Sequence, residues 1–258
     1  MASPIGLQLG DCIAGMAALP PKSIDVVVSD PPYSRHVHTN GRRGQAWGGG
    51  ARRPPPRLLS AARPLGFEPL SDALRTSAAQ QFARLVRRWV LVSSDVDSAH
   101  LWRDALVLAG LEYVRTMFWH RLGAAPQFSG DRPSAPCEAI VLAHPKGRKR
   151  WNGGGKQGFY AHPVVRRGRL HPTEKPLSLM EELLTDFTDP GELVLDAFAG
   201  AGTTAIACHR LGRAFIGWEL SPEHYANALQ RLNAEEPTLA SALRHMQGRG
   251  DHSVAASS

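Results

Sequence analysis

Leu193-Val-Leu-Asp196-Ala-Phe198-Ala-Gly200-Ala-Gly202-Thr203-Thr204 decides the fold. A short apolar run ends in a carboxylate, two glycines follow at alternate positions, and a helical pattern opens at Thr203 and continues to Leu211. Such a strand, tight turn and helix start form the corner with which an α/β protein holds a nucleoside cofactor. Gly200 and Gly202 allow a tight turn and close backbone approach to a ligand. The exposed N–H groups at the helix start attract a negative group. Ala214 to Trp218 reads as the next strand, and Glu219 follows it, 23 residues after Asp196. A carboxylate there can accept from both ribose hydroxyls, because each hydroxyl donates and an ionised carboxylate only accepts. The same spacing also satisfies the dinucleotide fingerprint, as Gly200-x-Gly202-x-x-Ala205 with an acid nineteen residues beyond Gly200. Glycines that merely turn a βα corner would satisfy it too.

Working outward, short apolar runs alternate with helical patterns, which predicts an α/β fold with a mostly parallel sheet. Strands are expected at Leu7–Leu9, Ile24–Ser29, Trp89–Ser93, Glu112–Trp119 and Ala139–Ala143. Helices are expected at Cys12–Leu19, Ala78–Arg88, Ser98–Gly110, Pro176–Phe187 and from Ser221-Pro222 to Asn233, the last with Ser as N-cap and Pro at N1. Residues 34–75 lack apolar periodicity and read as a long Gly- and Pro-rich basic loop, and residues 144–170 read as a second, shorter Gly-rich basic loop. The tail from Gly248 reads as disordered. A length of 258 residues predicts a single domain, placed at 1–247 with 248–258 as the tail.

Ser29-Asp30-Pro31-Pro32-Tyr33 closes the most β-branched strand, with Asp30 at its carboxyl end. Consecutive prolines restrict φ, so the Pro31 carbonyl points one way. Asp30-Pro31-Pro32-Tyr33 followed at a distance by Phe198-x-Gly200-x-Gly202 resembles the amino-group DNA methyltransferases. Catalytic string first and cofactor string last resembles the permuted β group of that family. The resemblance implies a Rossmann-like fold with a seven-stranded mostly parallel sheet, and transfer of a methyl group from S-adenosylmethionine (SAM) to adenine N6 or cytosine N4. Asp30 and the Pro31 carbonyl would then accept from the two N–H bonds of the target amine, favouring sp³ geometry and stabilising the positive charge that develops. Pro32 completes the turn, and Tyr33 offers a face for a base removed from the duplex. Asp at the head of the string leans towards adenine N6.

The same resemblance distributes the cofactor contacts. Asp196, Phe198, Gly200, Gly202 and Thr203 form the glycine turn, and Glu219 takes the ribose. His171-Pro-Thr-Glu-Lys-Pro176 resembles the segment preceding the cofactor strand, where Thr173 and Lys175 would approach the carboxylate end of SAM. Gly10-Asp11-Cys12 resembles the adenine-contacting turn, with Asp11 accepting from the exocyclic amine and the Cys12 N–H donating to a ring nitrogen. Trp119 occupies a position where an aromatic packs against the extruded base, with a buried core tryptophan as the competing reading. The likeness covers most of residues 5–33, 85–143 and 170–235 and departs at 144–170. That interval is too short for the usual target-recognition segment, so a short target or relaxed specificity is expected.

Charge is unevenly spread. Residues 34–63 hold seven arginines and no acid, and 144–170 hold eight Lys or Arg and no acid, leaving 15 basic residues elsewhere against 23 acids. Two confined basic windows are an electrostatic footprint for a polyanion or two solvated loops. Beside the motifs above, they predict double-stranded DNA as partner, with Arg42, Arg43, Arg52, Arg53, Lys149, Arg150, Arg166 and Arg167 on phosphate. The three cysteines are far apart, form no metal-ligand pair or disulfide framework, and fit a reducing cytoplasm. No apolar run reaches membrane-spanning length and no metal is expected; a homodimer is left open. Other readings are RNA methylation, a nucleic-acid-binding protein that has lost catalysis, and an NAD-dependent oxidoreductase. The last leaves the Asp-Pro-Pro-Tyr string unexplained, and intact Asp30, Tyr33, Gly200 and Gly202 argue against lost catalysis.

Overall fold

Strand β2 (Val26–Ser29) is buried on both faces, which is why its sequence is a continuous β-branched run rather than an alternation. It lies in the middle of an eight-stranded sheet of order β1-β8-β7-β2-β3-β5-β4-β6. The computed structural model describes residues 4–32, 70–124, 126, 133–165 and 174–235. The other strands are β1 (Ile5–Leu9), β3 (Val90–Ser94), β4 (Glu112–Leu122), β5 (Cys137–His144), β6 (Phe159–Pro163), β7 (Leu193–Asp196) and β8 (Ala214–Glu219). Strand β5 runs antiparallel to both β3 and β4, and every other pairing is parallel.

Six helices cover the sheet among the described residues: α1 (Cys12–Ala17), α2 (Asp72–Leu85), α3 (Ala99–Leu108), α4 (Leu177–Phe187), α5 (Thr203–Leu211) and α6 (222–235). Alternation along β2 divides the core. Val27 faces a cluster with Met16, Phe82, Leu85, Trp102 and Leu106 from α1, α2 and α3. Val26 and Val28 face one built with Leu183, Phe187, Ile206 and Leu232 from α4, α5 and α6. Each fully buried side chain of this size contributes about 1.5–3 kcal/mol. Backbone contact is close where α1 crosses β8: a Cβ on Gly15 would lie 2.1 Å from Trp218 Nε1.

The expected sheet gains a strand. Residues 159–163, inside the window expected to be a loop, pair parallel with β4 through Phe118–Phe159 to Leu122–Pro163. Tyr160 drives this by burying its ring in the core while its hydroxyl donates to Asp186 Oδ2 at 2.9 Å. Helix α2 also begins earlier than its periodicity suggests. The Ser71 hydroxyl accepts from Leu74 N at 3.1 Å and caps it. The other elements agree with the sequence to within a few residues at their ends.

The connection from β2 leads towards β3 on one side, and that from β7 leads towards β8 on the other. The strand order therefore diverges between β2 and β7, leaving a crevice at their carboxyl ends. Asp30, Asp196, Glu219 and Asp11 all follow or end parallel strands at that one edge.

Candidate active site

Strand β2 delivers Asp30 to the crevice, and a buried lysine fixes it. Lys175 Nζ donates to Asp30 Oδ2 at 2.7 Å and lies 3.1 Å from Glu138 Oε2. Burial opposes the charge on Lys175, but the two carboxylates outweigh it and hold the amine above the ordinary lysine range. The ammonium also sits 5.9 Å from the Trp119 ring centroid. Glu138 reaches this edge because β5 is antiparallel, so its first residues lie where the other strands end. It offsets the charge of Lys175 beside Asp30, while Arg121 stands 3.4 Å from its other oxygen on a more exposed side. Pro31 is buried and Pro32 half-buried behind the carboxylate.

The glycine turn is organised by a second, deeper acid. Asp196 is 2% exposed. Its Oδ1 accepts from Ser29 Oγ and Phe198 N, each at 3.1 Å, and its Oδ2 accepts from Thr204 Oγ1 at 2.7 Å. Burial raises its pKa to about 6, although the bonds from Thr204 and Phe198 pull the other way and the charge of Asp30 adds to the rise. Asp196 thus ties the strand that carries Asp30 to the turn and helix of the other half. Gly202 has φ 74° and precedes α5, and a Cβ there would stand 3.0 Å from Ala228 Cβ. The left-handed φ favours glycine at that position, and a Cβ would in addition crowd Ala228.

Glu219, at the end of β8, closes the turn from the side. Its Oε2 accepts from Gly200 N at 2.9 Å and its Oε1 from Ser221 N at 2.8 Å. Gly10 N donates to the Glu219 carbonyl at 2.9 Å, which brings the end of β1 against the end of β8. Asp11 then caps α1, accepting from Ala14 N at 2.8 Å. Cys12 is buried, and burial together with the charge of Asp11 pushes its thiol up to about 12, so it remains protonated.

These residues suit a nucleoside-bearing cofactor. Two acids, Asp11 and Glu219, stand at the ends of the paired strands β1 and β8 and retain acceptor capacity beyond the bonds above. Leu9 and Leu220, at the same two strand ends, are 49% and 73% exposed and offer apolar surface to a flat ring. The glycine turn supplies backbone beside them.

Several expected residues sit elsewhere or act differently. Asp196 is enclosed by protein donors, so it braces the turn instead of facing the crevice. Lys175 is engaged by Asp30 and Glu138, on the Asp30 side of the crevice rather than at the glycine turn. Trp119 is 3% exposed in the core and donates through Nε1 to the His162 carbonyl at 3.1 Å, so the buried reading describes it. Thr203 is buried, with Arg231 Nη1 3.3 Å from its hydroxyl, and Phe198 is half-buried against the core. Lys149 and Arg150 leave the site altogether. They follow β5, whose antiparallel course carries the chain to the opposite edge, and they pair with Glu112 at 2.6 Å and Asp189 at 2.9 Å. Tyr33, Thr173, Arg42, Arg43, Arg52, Arg53, Arg166 and Arg167 lie outside the described residues. Among the described residues there is no group of acids, histidines and cysteines arranged to hold a metal, and no helix long and apolar enough to cross a membrane.

Four participants have no assignment from sequence: Ser29, Glu138, Glu174 and Arg231. Glu174 Oε1 pairs with Arg231 Nη2 at 2.8 Å, and Arg231 Nη1 donates to the Ala201 carbonyl at 2.5 Å. Glu138 alone carries a signal, being a lone acid at the head of an apolar run.

Known proteins resemble this chain in sequence and in fold. The N6/N4 methylase family model, described as DNA methylase, matches residues 24–230. The type II methyltransferase M2.DpnII of Streptococcus pneumoniae is 26% identical, over 88% of this chain and 89% of its own. The crystal structure of the M1.HpyAVI–SAM complex superposes with TM-score 0.64 at 23% identity, covering 89% of this chain and 99% of that one. The cytosine-N4-specific PvuII DNA methyltransferase gives TM-score 0.66 at 14% identity, covering 89% of this chain and 86% of its own. The two superpositions establish a common fold.

Proposed function

We propose, for a chain that belongs to the N6/N4 DNA methylase family, that the methyl group it transfers goes to the N6 amine of adenine in duplex DNA. The coarser statement stands on the family: the protein is a DNA amino-methyltransferase with S-adenosylmethionine as donor. Asp11, Glu219 and the turn at Gly200 and Gly202 would hold that donor, with Cys12, Thr173 and Thr203 alongside. Bound there, it supplies an electrophilic methyl group.

The carrying observation is Asp30 at the mouth of the β2–β7 crevice, held by Lys175 at 2.7 Å beside the glycine turn. An aromatic amine is a poor nucleophile because its lone pair is delocalised into the ring. Asp30 accepts one N–H and Pro31, through its carbonyl, accepts the other. Both stabilise positive charge as nitrogen gains the methyl, and Asp30 then takes the proton that nitrogen sheds. Lys175 fixes the carboxylate, and Glu138 offsets the lysine charge that would oppose the developing cation. Tyr33 stacks on the base once it leaves the duplex. Asp rather than Ser at the head of the string supports adenine over cytosine. Arg42, Arg43, Arg52, Arg53, Arg166 and Arg167 are proposed to grip phosphate.

Duplex DNA incubated with the protein and SAM, digested to nucleosides and analysed by mass spectrometry, should contain N6-methyladenine as the major new species. N4-methylcytosine without N6-methyladenine would overturn the choice of target atom and leave the enzyme class intact.

A further inference from the structure

Glu174 and Lys175 are adjacent in the chain, yet their side chains grip opposite halves of the site. Lys175 reaches Asp30 on the target side at 2.7 Å. Glu174 reaches Arg231 at 2.8 Å, and Arg231 Nη1 donates to the carbonyl of Ala201, inside the glycine turn, at 2.5 Å. Both side chains of this dipeptide are nearly fully buried, 7% exposed for Glu174 and 6% for Lys175. Burying ion pairs carries a desolvation cost, and apolar side chains of similar volume would be about as stable. Two such pairs on consecutive residues therefore call for an explanation other than stability.

We infer that Glu174 and Arg231 are positioning residues for the transfer, holding the glycine turn at a set distance from Asp30 through the Glu174–Lys175 backbone. The inference rests on the methyltransferase reading above. Consecutive Cα atoms are only about 3.8 Å apart, so a displacement of one arm moves the other. Buried in the core, Ser29–Asp196–Thr204 makes a second connection between the same two turns. The turns are thus clasped twice, which suits a reaction where a 1 Å misplacement costs about 10²-fold. A cofactor that settles the glycine turn also settles Asp30, so cofactor and DNA bind with positive coupling, reciprocal by linkage.

The test uses the full chain and a duplex DNA that the wild-type protein methylates. Three quantities are measured: kcat, SAM affinity by calorimetry, and DNA affinity with and without S-adenosylhomocysteine. Glu174→Gln should lower kcat by about 10-fold or more while SAM affinity changes by less than about 3-fold. The factor by which S-adenosylhomocysteine tightens DNA binding should fall clearly towards 1, the Ser29–Asp196–Thr204 connection remaining, and Glu174→Asp should recover part of it. Should Glu174→Gln not fold, Arg231→Lys serves instead, keeping a charge for Glu174 while losing the planar fork that spans both partners; the same fall in kcat and coupling is expected. Unchanged kcat in the folded variant, kcat falling only in proportion to SAM affinity, or a wild-type protein without cofactor–DNA coupling would overturn the inference. Wild-type protein that methylates no DNA would instead be a failure of the methyltransferase reading, visible before any variant is made.

Discussion

Asp30 and Glu219 are two carboxylates at the same edge of one sheet, and they are held by different means. Asp30 is fixed by a side chain, the ammonium of Lys175, which also contacts Glu138. Glu219 is fixed by backbone, through the N–H groups of Gly200 and Ser221. An acid held by backbone donors is set as soon as the strand and turn are formed. An acid held by a lysine from a distant segment is set only when residues 30, 138 and 175 have all come together. Glu219 and the glycine turn of the proposed cofactor half are therefore built into neighbouring segments, whereas Asp11, which β1 brings beside them, and Asp30 of the proposed target half depend on long-range tertiary contacts.

The largest expected effect is on the target half. Asp30→Ala should reduce methyl transfer by about 10²–10³-fold or more, the usual consequence of losing a charged group aimed at a developing charge. Radiolabelled methyl incorporation into DNA measures it, and transfer within a few-fold of wild type would remove Asp30 from the reaction.

The seam between the halves should respond to pH. Asp196 in the folded protein has its pKa raised from 3.8 to about 6, chiefly by burial. Folding thus favours its neutral form. The stability this provides is fully present below pH 4 and is lost as pH rises through about 6, roughly 3 kcal/mol across the window at about 1.4 kcal/mol per unit. Asp196→Asn has no such titration and keeps a similar shape. Its Tm relative to wild type should therefore rise between pH 4 and pH 7.5. A constant offset across that range would show that Asp196 titrates normally.

The smallest effect belongs to the opposite edge of the sheet. Neutralising Lys149 and Arg150 should leave the salt dependence of DNA binding unchanged and cost at most about 1 kcal/mol of stability, since both are partly exposed and paired with acids. Neutralising Arg42, Arg43, Arg52 and Arg53 should flatten the plot of log affinity against log salt by about 0.9 for each phosphate that is no longer neutralised. A flattened slope for Lys149 and Arg150 would bring that edge onto DNA and contradict their placement.

The glycine corner is legible in the sequence because its chemistry is local. A strand end, αL glycines and a helix start follow from a dozen consecutive residues, and so does the position of Glu219 one strand later. Asp30 is legible because a β-branched run ending in Asp-Pro-Pro leaves little alternative for the backbone. What escapes depends on pairings between distant segments. The antiparallel sense of β5 is not written in Cys137–His144, yet it brings Glu138 to the site and takes Lys149 and Arg150 away from it. Strand β6 lies among glycines and cations, with Tyr160 its one fully buried side chain, too little for a periodic signal. The role of Lys175 escapes because its partner is 145 residues away in sequence.

The division of labour between the two carboxylates is tested most directly by calorimetry of SAM binding to Asp30→Ala and Glu219→Ala side by side. Asp30→Ala should bind SAM as wild type does while transferring methyl groups at least about 10²-fold more slowly. Glu219→Ala should bind it more weakly by roughly 1–3 kcal/mol, the value of a charged hydrogen-bond acceptor. Equal losses of SAM affinity in the two variants would contradict the account.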